Sequence, residues 1–347
     1  YLRVPHEEDP DYSPDRTAVP WSIRTVTLGT EESRTVWSAD AGRGSAFQYI
    51  RADNQIFWGA DDRIVFPWEK TGWLNLYSVP AEGGPAKPLT PGEFEVQFVT
   101  LTPDREHLIY ASNQDDINRR HLWRVSVTKG PPTPVTQGNG LEWAPDVTAA
   151  SEDLAFLASG ARTPAHPEVR PEGSGRQPLS PDSLRQPVPQ SQLVTPQPVT
   201  FPATDGKTIH GQLFRPPNLA PNEQRPAVIF FHGGPRRQML LGFHYRGYYH
   251  NAYSLNQYLA RQGYVVLAVN YRGGIGYGMN FREALDYGPR GASEFKDALG
   301  AGLYLQQRPD VDSDRIGLWG GSYGGYLTAL GLARASDLFA TGVELHG

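Results

Sequence analysis

The chain has 347 residues, 39% hydrophobic and 11% aromatic, enough apolar content to pack the cores of about two domains. A formal net charge of −5 with no basic stripe argues against a nucleic-acid partner, and no apolar run reaches the ~20 residues of a membrane-spanning helix. There is no cysteine, hence no disulfide, thiolate zinc site or cysteine nucleophile, and the nine histidines show no metal-ligand spacing, so no metal is expected.

Residues 1 to about 160 read as short strands between turns, among them Arg63-Ile64-Val65-Phe66, Leu74 to Val79, Leu108-Ile109-Tyr110 and Leu122 to Val125. A repeat runs through them. Leu76-Tyr77-x-Val79, then Gly84-Pro85, then Pro88-Leu89-Thr90 recurs as Leu122-Trp123-x-Val125, Gly130-Pro131 and Pro134-Val135-Thr136. A period of about 46 residues suits one four-stranded blade of a β-propeller, so residues 1–160 are expected to form about three to four blades, with more upstream. A β-sandwich is the alternative.

Residues 161–195 carry Pro164, Pro167, Pro171, Pro178, Pro181, Pro187 and Pro189 among Arg, Gln and Ser, and are expected to be an extended, weakly packed linker. From residue 196 onward the pattern changes. Val199 to Phe201 and Ile209 to Phe214 flank Asp205-Gly206, a hairpin signal. Ala227 to Phe231 reads as a buried strand, Leu255, Tyr258 and Leu259 as one face of a helix that Gly263 ends, and Tyr264 to Val269 as the next strand. Ser293 is expected to cap a helix whose inner face carries Phe295, Leu299 and Leu303, before strands at Ile316 to Trp319 and Thr341 to Leu345. This alternation predicts a mostly parallel sheet covered on both faces, so residues 196–347 are expected to be an α/β-hydrolase domain.

The chemistry centres on Gly320-Gly321-Ser322-Tyr323-Gly324-Gly325, which follows the Ile316 strand and opens a helical pattern. A G-x-S-x-G turn between strand and helix is a nucleophile elbow: it lifts the serine hydroxyl clear of the backbone, while Gly320 and Gly324 leave room where strand and helix nearly touch. A capping serine on a glycine-rich helix is the bland alternative. Attack by Ser322 on a carbonyl needs N–H donors for the oxyanion. The Tyr323 N–H is one, and the loop His232-Gly233-Gly234-Pro235, directly after a buried strand, offers the Gly234 N–H as the second; His232 is read as orienting that loop. A third loop, Asn270 to Gly278, contains Tyr271 and Arg272 and is expected to shape the wall of the site. Its Gly274-x-Gly276-x-x-Met279 lacks the third glycine of a dinucleotide fingerprint, so no cofactor is expected.

These three loops, in this order and spacing, resemble the prolyl oligopeptidase family of serine peptidases, and Trp68 with Gly72 to Tyr77 looks like one of that family's propeller blades. The resemblance implies a serine-type peptidase with Ser322 as nucleophile, short peptides as substrates, and a propeller that caps the site. It also implies a catalytic Asp and His beyond Gly347, since the one histidine after Ser322, His346, closes the next strand. The His-Gly-Gly-Pro loop is similar to the acylaminoacyl-peptidase branch. The dipeptidyl-peptidase branch often has a tyrosine at the place of His232 and anchors substrate through a glutamate pair, for which Glu7-Glu8 and Glu31-Glu32 are the paired candidates. On the residues alone, an esterase of the same fold and a non-catalytic binding protein stay open.

Overall fold

A computed structural model describes residues 1–5, 17–128, 130–150, 153–179, 189–288 and 291–347. The chain divides into two compact units, one of Tyr1–Ala158, His166–Ser183 and Gly276–Glu283, the other of Ser159–Ala165, Leu184–Ile275 and Ala284–Gly347.

The first unit opens with a three-stranded antiparallel sheet, β1 (Leu2–Arg3), β2 (Ser22–Val26) and β3 (Ser33–Ser38). Three four-stranded sheets follow, each with its strands in chain order: β4 (Phe57–Gly59), β5 (Arg63–Trp68), β6 (Asn75–Pro80), β7 (Lys87–Pro88); then β8 (Val96–Leu101), β9 (His107–Ser112), β10 (His121–Ser126), β11 (Thr133–Pro134); then β12 (Leu141–Val147), β13 (Leu154–Ser159), β14 (His166–Arg170), β15 (Gln177–Pro178). The sequence repeat has a hydrogen-bonding cause. In the first copy the Thr90 hydroxyl accepts the Leu76 N–H and Leu89 N–H donates to Leu76 O; in the second, Thr136 and Val135 do the same at Leu122, all at 2.8 Å. Alternate residues of β5, β6, β9 and β10 supply the core, which packs Val65, Leu76, Val96, Leu108, Tyr110 and Val125 together.

The expected linker is not a plain extended connection. Its residues 166–170 and 177–178 are β14 and β15, and Leu179 N–H donates to Pro167 O (3.0 Å), the same edge bond as in the two copies above. Pro181 and Pro187 lie outside the described residues. A second departure is that Gly276–Glu283 belongs to the first unit. Its short helix α2 (Met279–Arg282) brings Arg282 onto Glu69 as a buried bidentate pair (2.6 and 2.9 Å), Met279 N–H donates to Gly72 O, and Asn113 donates to Gly276 O.

The second unit is a six-stranded mixed sheet in the order β16-β17-β19-β18-β20-β21. Its strands are β16 (Gln197–Pro202), β17 (Thr208–Phe214), β18 (Arg225–Phe231), β19 (Val265–Asn270), β20 (Val311–Gly321) and β21 (Thr341–Leu345). The pairs β16–β17 and β17–β19 are antiparallel; the remaining three are parallel. Helices α1 (Gly247–Arg261), α3 (Ala292–Gln306) and α4 (Tyr323–Arg334) pack on it. Gly206 turns the β16–β17 hairpin and Gly263 closes α1, both at positive φ. Helix α1 buries Tyr249, Ala252, Tyr253 and Asn256, leaving Leu255 and Tyr258 exposed. Helix α3 is also rotated from the expected face: it buries Glu294, Asp297, Ala298, Ala301 and Leu305, while Leu303 is exposed. Gly291, not Ser293, stands at its N-cap. No helix among the described residues is long and apolar enough to cross a membrane.

Candidate active site

Ser322 is the single residue between β20 and α4. Its backbone lies at φ 55°, ψ −125°, a region that side chains rarely occupy unless the surroundings impose it. The crowding that imposes it is local. A Cβ on Gly320 would sit 2.5 Å from Gly324 O, and one on Gly324 would run into Phe231 O, so β18, β20 and α4 meet here because both residues lack side chains. The turn is tied down by Ser322 N–H to Leu345 O (2.8 Å) and Tyr326 N–H to Ser322 O (3.0 Å). The Ser322 hydroxyl itself is bonded to nothing among the described residues, and the residue is exposed.

The other two loops singled out in the sequence meet this turn. The His232 ring stacks on Tyr271 (centroids 4.3 Å apart, planes at 18°), and Tyr271 lies parallel to Tyr323 (6.1 Å, 16°), so one aromatic column ties the strand-end loop, the Asn270 loop and the elbow together. Tyr271 is fully buried, and its hydroxyl donates to His232 O (2.5 Å). Gly233 packs so close that a Cβ there would lie 3.1 Å from Ser322 Cβ and 2.8 Å from Gly321 O. Gly234 is exposed at φ 127°, and neither its N–H nor that of Tyr323 is taken by a hydrogen bond among the described residues. Tyr323 opens α4, where the first N–H groups have no intrahelical acceptor and the helix dipole favours negative charge.

His232 is fully buried and held neutral, its pKa pushed down to about 4 mainly by burial. Its Nδ1–H donates to Gly233 O (3.0 Å), which leaves Nε2 as a buried nitrogen without a partner among the described residues. Arg272 does not face Ser322 with its charge. Its side chain bonds both Asp297 (2.6 and 2.8 Å) and Asp205 (2.8 and 3.1 Å), while its backbone N–H donates to Asp297 (2.7 Å). It therefore anchors the loop that presents Tyr271. The Tyr323 hydroxyl is likewise turned away, donating toward Gly288 O and Glu294, and burial together with that carboxylate raises its pKa.

Tyr249 escaped the sequence reading. It sits in the first turn of α1 and donates its hydroxyl to Gly233 O (3.0 Å). The only sequence signal was a Tyr-Tyr pair just after Gly247, which nothing in the spacing connected to the elbow. His346, directly after β21, is exposed and is not bonded to Ser322. Of the glutamate pairs, Glu31-Glu32 lies exposed in the β2–β3 turn, and Glu7-Glu8 is outside the described residues. One ligand-type cluster is present among the described residues: Asp104, Glu106 and His107, in the first unit. Asp104 there is already engaged with Thr102 and the Glu106 N–H.

Comparison with known proteins gives matches to both parts of the chain. Residues 251–347 match the model of the prolyl oligopeptidase family, and residues 17–167 match that of the dipeptidyl peptidase IV N-terminal region. Over these segments the chain resembles the prolyl oligopeptidase family. A probable dipeptidyl peptidase 4 of Aspergillus flavus is 27% identical over 282 residues, which is 79% of this chain and 36% of that protein. Among solved structures, dipeptidyl peptidase 4 of Porphyromonas gingivalis superposes with a TM-score of 0.76 at 21% identity, over 94% of this chain and 45% of that one. A puromycin-hydrolyzing peptidase of Mycobacterium tuberculosis gives 0.76 at 20% identity, over 97% and 50%. The fold of these solved structures is thus shared, and the chain spans about a third of the curated relative and about half of each solved chain.

Proposed function

We propose that this chain carries the nucleophile and oxyanion donors of a serine peptidase that hydrolyses short peptides through an acyl-enzyme. The observation that carries the reading is Ser322 itself: an exposed, unbonded hydroxyl at a strained turn, at the N-terminus of α4 and against the Gly233–Gly234 loop. Ser322 Oγ attacks the scissile carbonyl and gives its proton to a general base; the carbonyl oxygen becomes an oxyanion received by the Tyr323 and Gly234 N–H groups. Collapse expels the amine, which takes up the proton held by the base. Water then gives a proton to the same base, attacks the acyl carbonyl and releases the acid, and the proton returns to Ser322 Oγ. No side chain among the described residues bonds the Ser322 hydroxyl, so the base and its orienting acid are assigned to none of them.

The four-stranded sheets β4–β7, β8–β11 and β12–β15 are read as blades of a propeller, supported by the repeated Thr90 and Thr136 edge bonds and by the match to the dipeptidyl peptidase IV N-terminal region. Short peptides are the substrates of choice because the dipeptidyl peptidases are among the relatives. In the full-length protein, Ser322→Ala should abolish release of an amine from short peptide amides; turnover that persists in this variant overturns the assignment. An ester-to-amide kcat/KM ratio far above that of ordinary serine peptidases would favour an esterase instead.

A further inference from the structure

An oxyanion donor is only as good as its aim, so the peptide unit that carries the Gly234 N–H matters as a whole. That unit runs from Gly233 C=O to Gly234 N–H and is trans, the cis bond of this loop being the next one, Gly234–Pro235. In a planar trans peptide the N–H points opposite to the C=O. Whatever grips Gly233 O therefore fixes the direction of the Gly234 N–H.

Two donors grip it. The Tyr249 hydroxyl lies 3.0 Å from Gly233 O, and His232 Nδ1–H lies 3.0 Å from the same oxygen. The preceding carbonyl, His232 O, is taken by Tyr271. Two successive carbonyls of the loop are thus bonded, while the Gly234 N–H is left without a partner among the described residues. Tyr249 is buried, its ring packed edge-on against His232 and His244, so its hydroxyl has little freedom to leave. Hydrogen bonds to a carbonyl also polarise the peptide and strengthen its N–H as a donor.

We propose that Tyr249 is a positioning residue for the oxyanion site: with His232 it clamps the Gly233 carbonyl and so aims the Gly234 N–H at the oxygen of the substrate carbonyl attacked by Ser322. The inference rests on the reading of Ser322 as nucleophile and of Gly234 as oxyanion donor.

The test uses the full-length protein with Tyr249→Phe, Tyr253→Phe and Ser322→Ala compared on one short peptide amide. Tyr253→Phe controls for helix α1, since it removes a similar hydroxyl–carbonyl bond, to Ala161 O at 2.9 Å, in the next turn. Deleting an oxyanion donor outright costs about 10²–10³ in kcat; losing one of two clamps should cost about tenfold in kcat with KM unchanged, and Tyr253→Phe should leave both unchanged. A substrate-like peptide aldehyde, which becomes a hemiacetal on Ser322, should bind Tyr249→Phe about tenfold more weakly, whereas the corresponding peptide alcohol should bind as before. A purely structural role would move neither ratio. Unchanged kcat and aldehyde affinity in Tyr249→Phe, with Ser322→Ala inactive, would overturn the Tyr249 assignment alone. A loss approaching that of Ser322→Ala would also overturn it, by making the hydroxyl a direct participant. Activity retained in Ser322→Ala would overturn the underlying reading instead.

Discussion

Ser322 should cost the protein stability through its backbone alone, and two substitutions isolate that cost. At φ 55°, ψ −125° any residue with a Cβ is strained, by about 1–3 kcal/mol. Ser322→Ala keeps the Cβ and the strain; Ser322→Gly removes both. Neither change breaks a side-chain hydrogen bond, because the hydroxyl has none among the described residues. Glycine gives back about 0.4–1 kcal/mol through the greater freedom of its unfolded chain. Ser322→Gly should therefore be more stable than Ser322→Ala by about 1 kcal/mol, within a span of about 0–2.6 kcal/mol, a rise in Tm of roughly 2–4 °C for a domain of this size. Both variants should be inactive. The assay is thermal or urea unfolding of the two variants side by side, with unchanged m-values as the check that the unfolded states are comparable. A glycine variant less stable than the alanine variant would refute the idea that the elbow stores strain at Ser322.

Further expectations follow from other parts of the structure. Gly324→Ala should cost at least about 3 kcal/mol and abolish activity, because the new methyl meets Phe231 O, a backbone atom that cannot step aside; a stable, active variant in the same unfolding and turnover assays would contradict the packing described. His232 has a pKa of about 4 when folded against an ordinary 6.5, so the unfolded chain binds the extra proton between those values. Its contribution is complete above pH 6.5 and falls away as pH drops toward 4, by about 3 kcal/mol in all. Urea unfolding from pH 7 to pH 4 should show this loss in the parent chain and a smaller one in His232→Gln. Glu69→Ala should cost about 3 kcal/mol by leaving the buried Arg282 short of its bidentate partner, measurable as a shift in the urea midpoint.

The turn at Ser322 was legible because steric necessity writes itself into sequence. Only glycine fits at Gly320 and Gly324, and the order strand, turn, helix is local enough to read directly. The strand repeat was legible for a similar reason, since the threonines at 90 and 136 each cap one strand edge. What stayed hidden depends on partners far along the chain. The buried face of α3 was misread because Glu294 and Asp297 are polar, yet Asp297 is buried against Arg272 and Glu294 against Tyr323. Hydrophobic periodicity cannot anticipate a buried charge whose partner lies on another element. The two-residue strand β15 ends in a proline and carries no strand signal, so it was read as linker. Arg282 joins Glu69 across 213 positions, which no local pattern reveals. Tyr249 belongs to the same class: its meaning lies in Gly233 O, sixteen residues away.

The central claim is that Ser322 is the nucleophile, and the most direct test is covalent. The full-length protein should be treated with an organophosphorus serine reagent, digested, and the labelled peptide sequenced by mass spectrometry. The account predicts one label per chain, on Ser322, with loss of peptide hydrolysis in proportion to labelling. Labelling at another residue, or hydrolysis that continues with Ser322 fully modified, would contradict it.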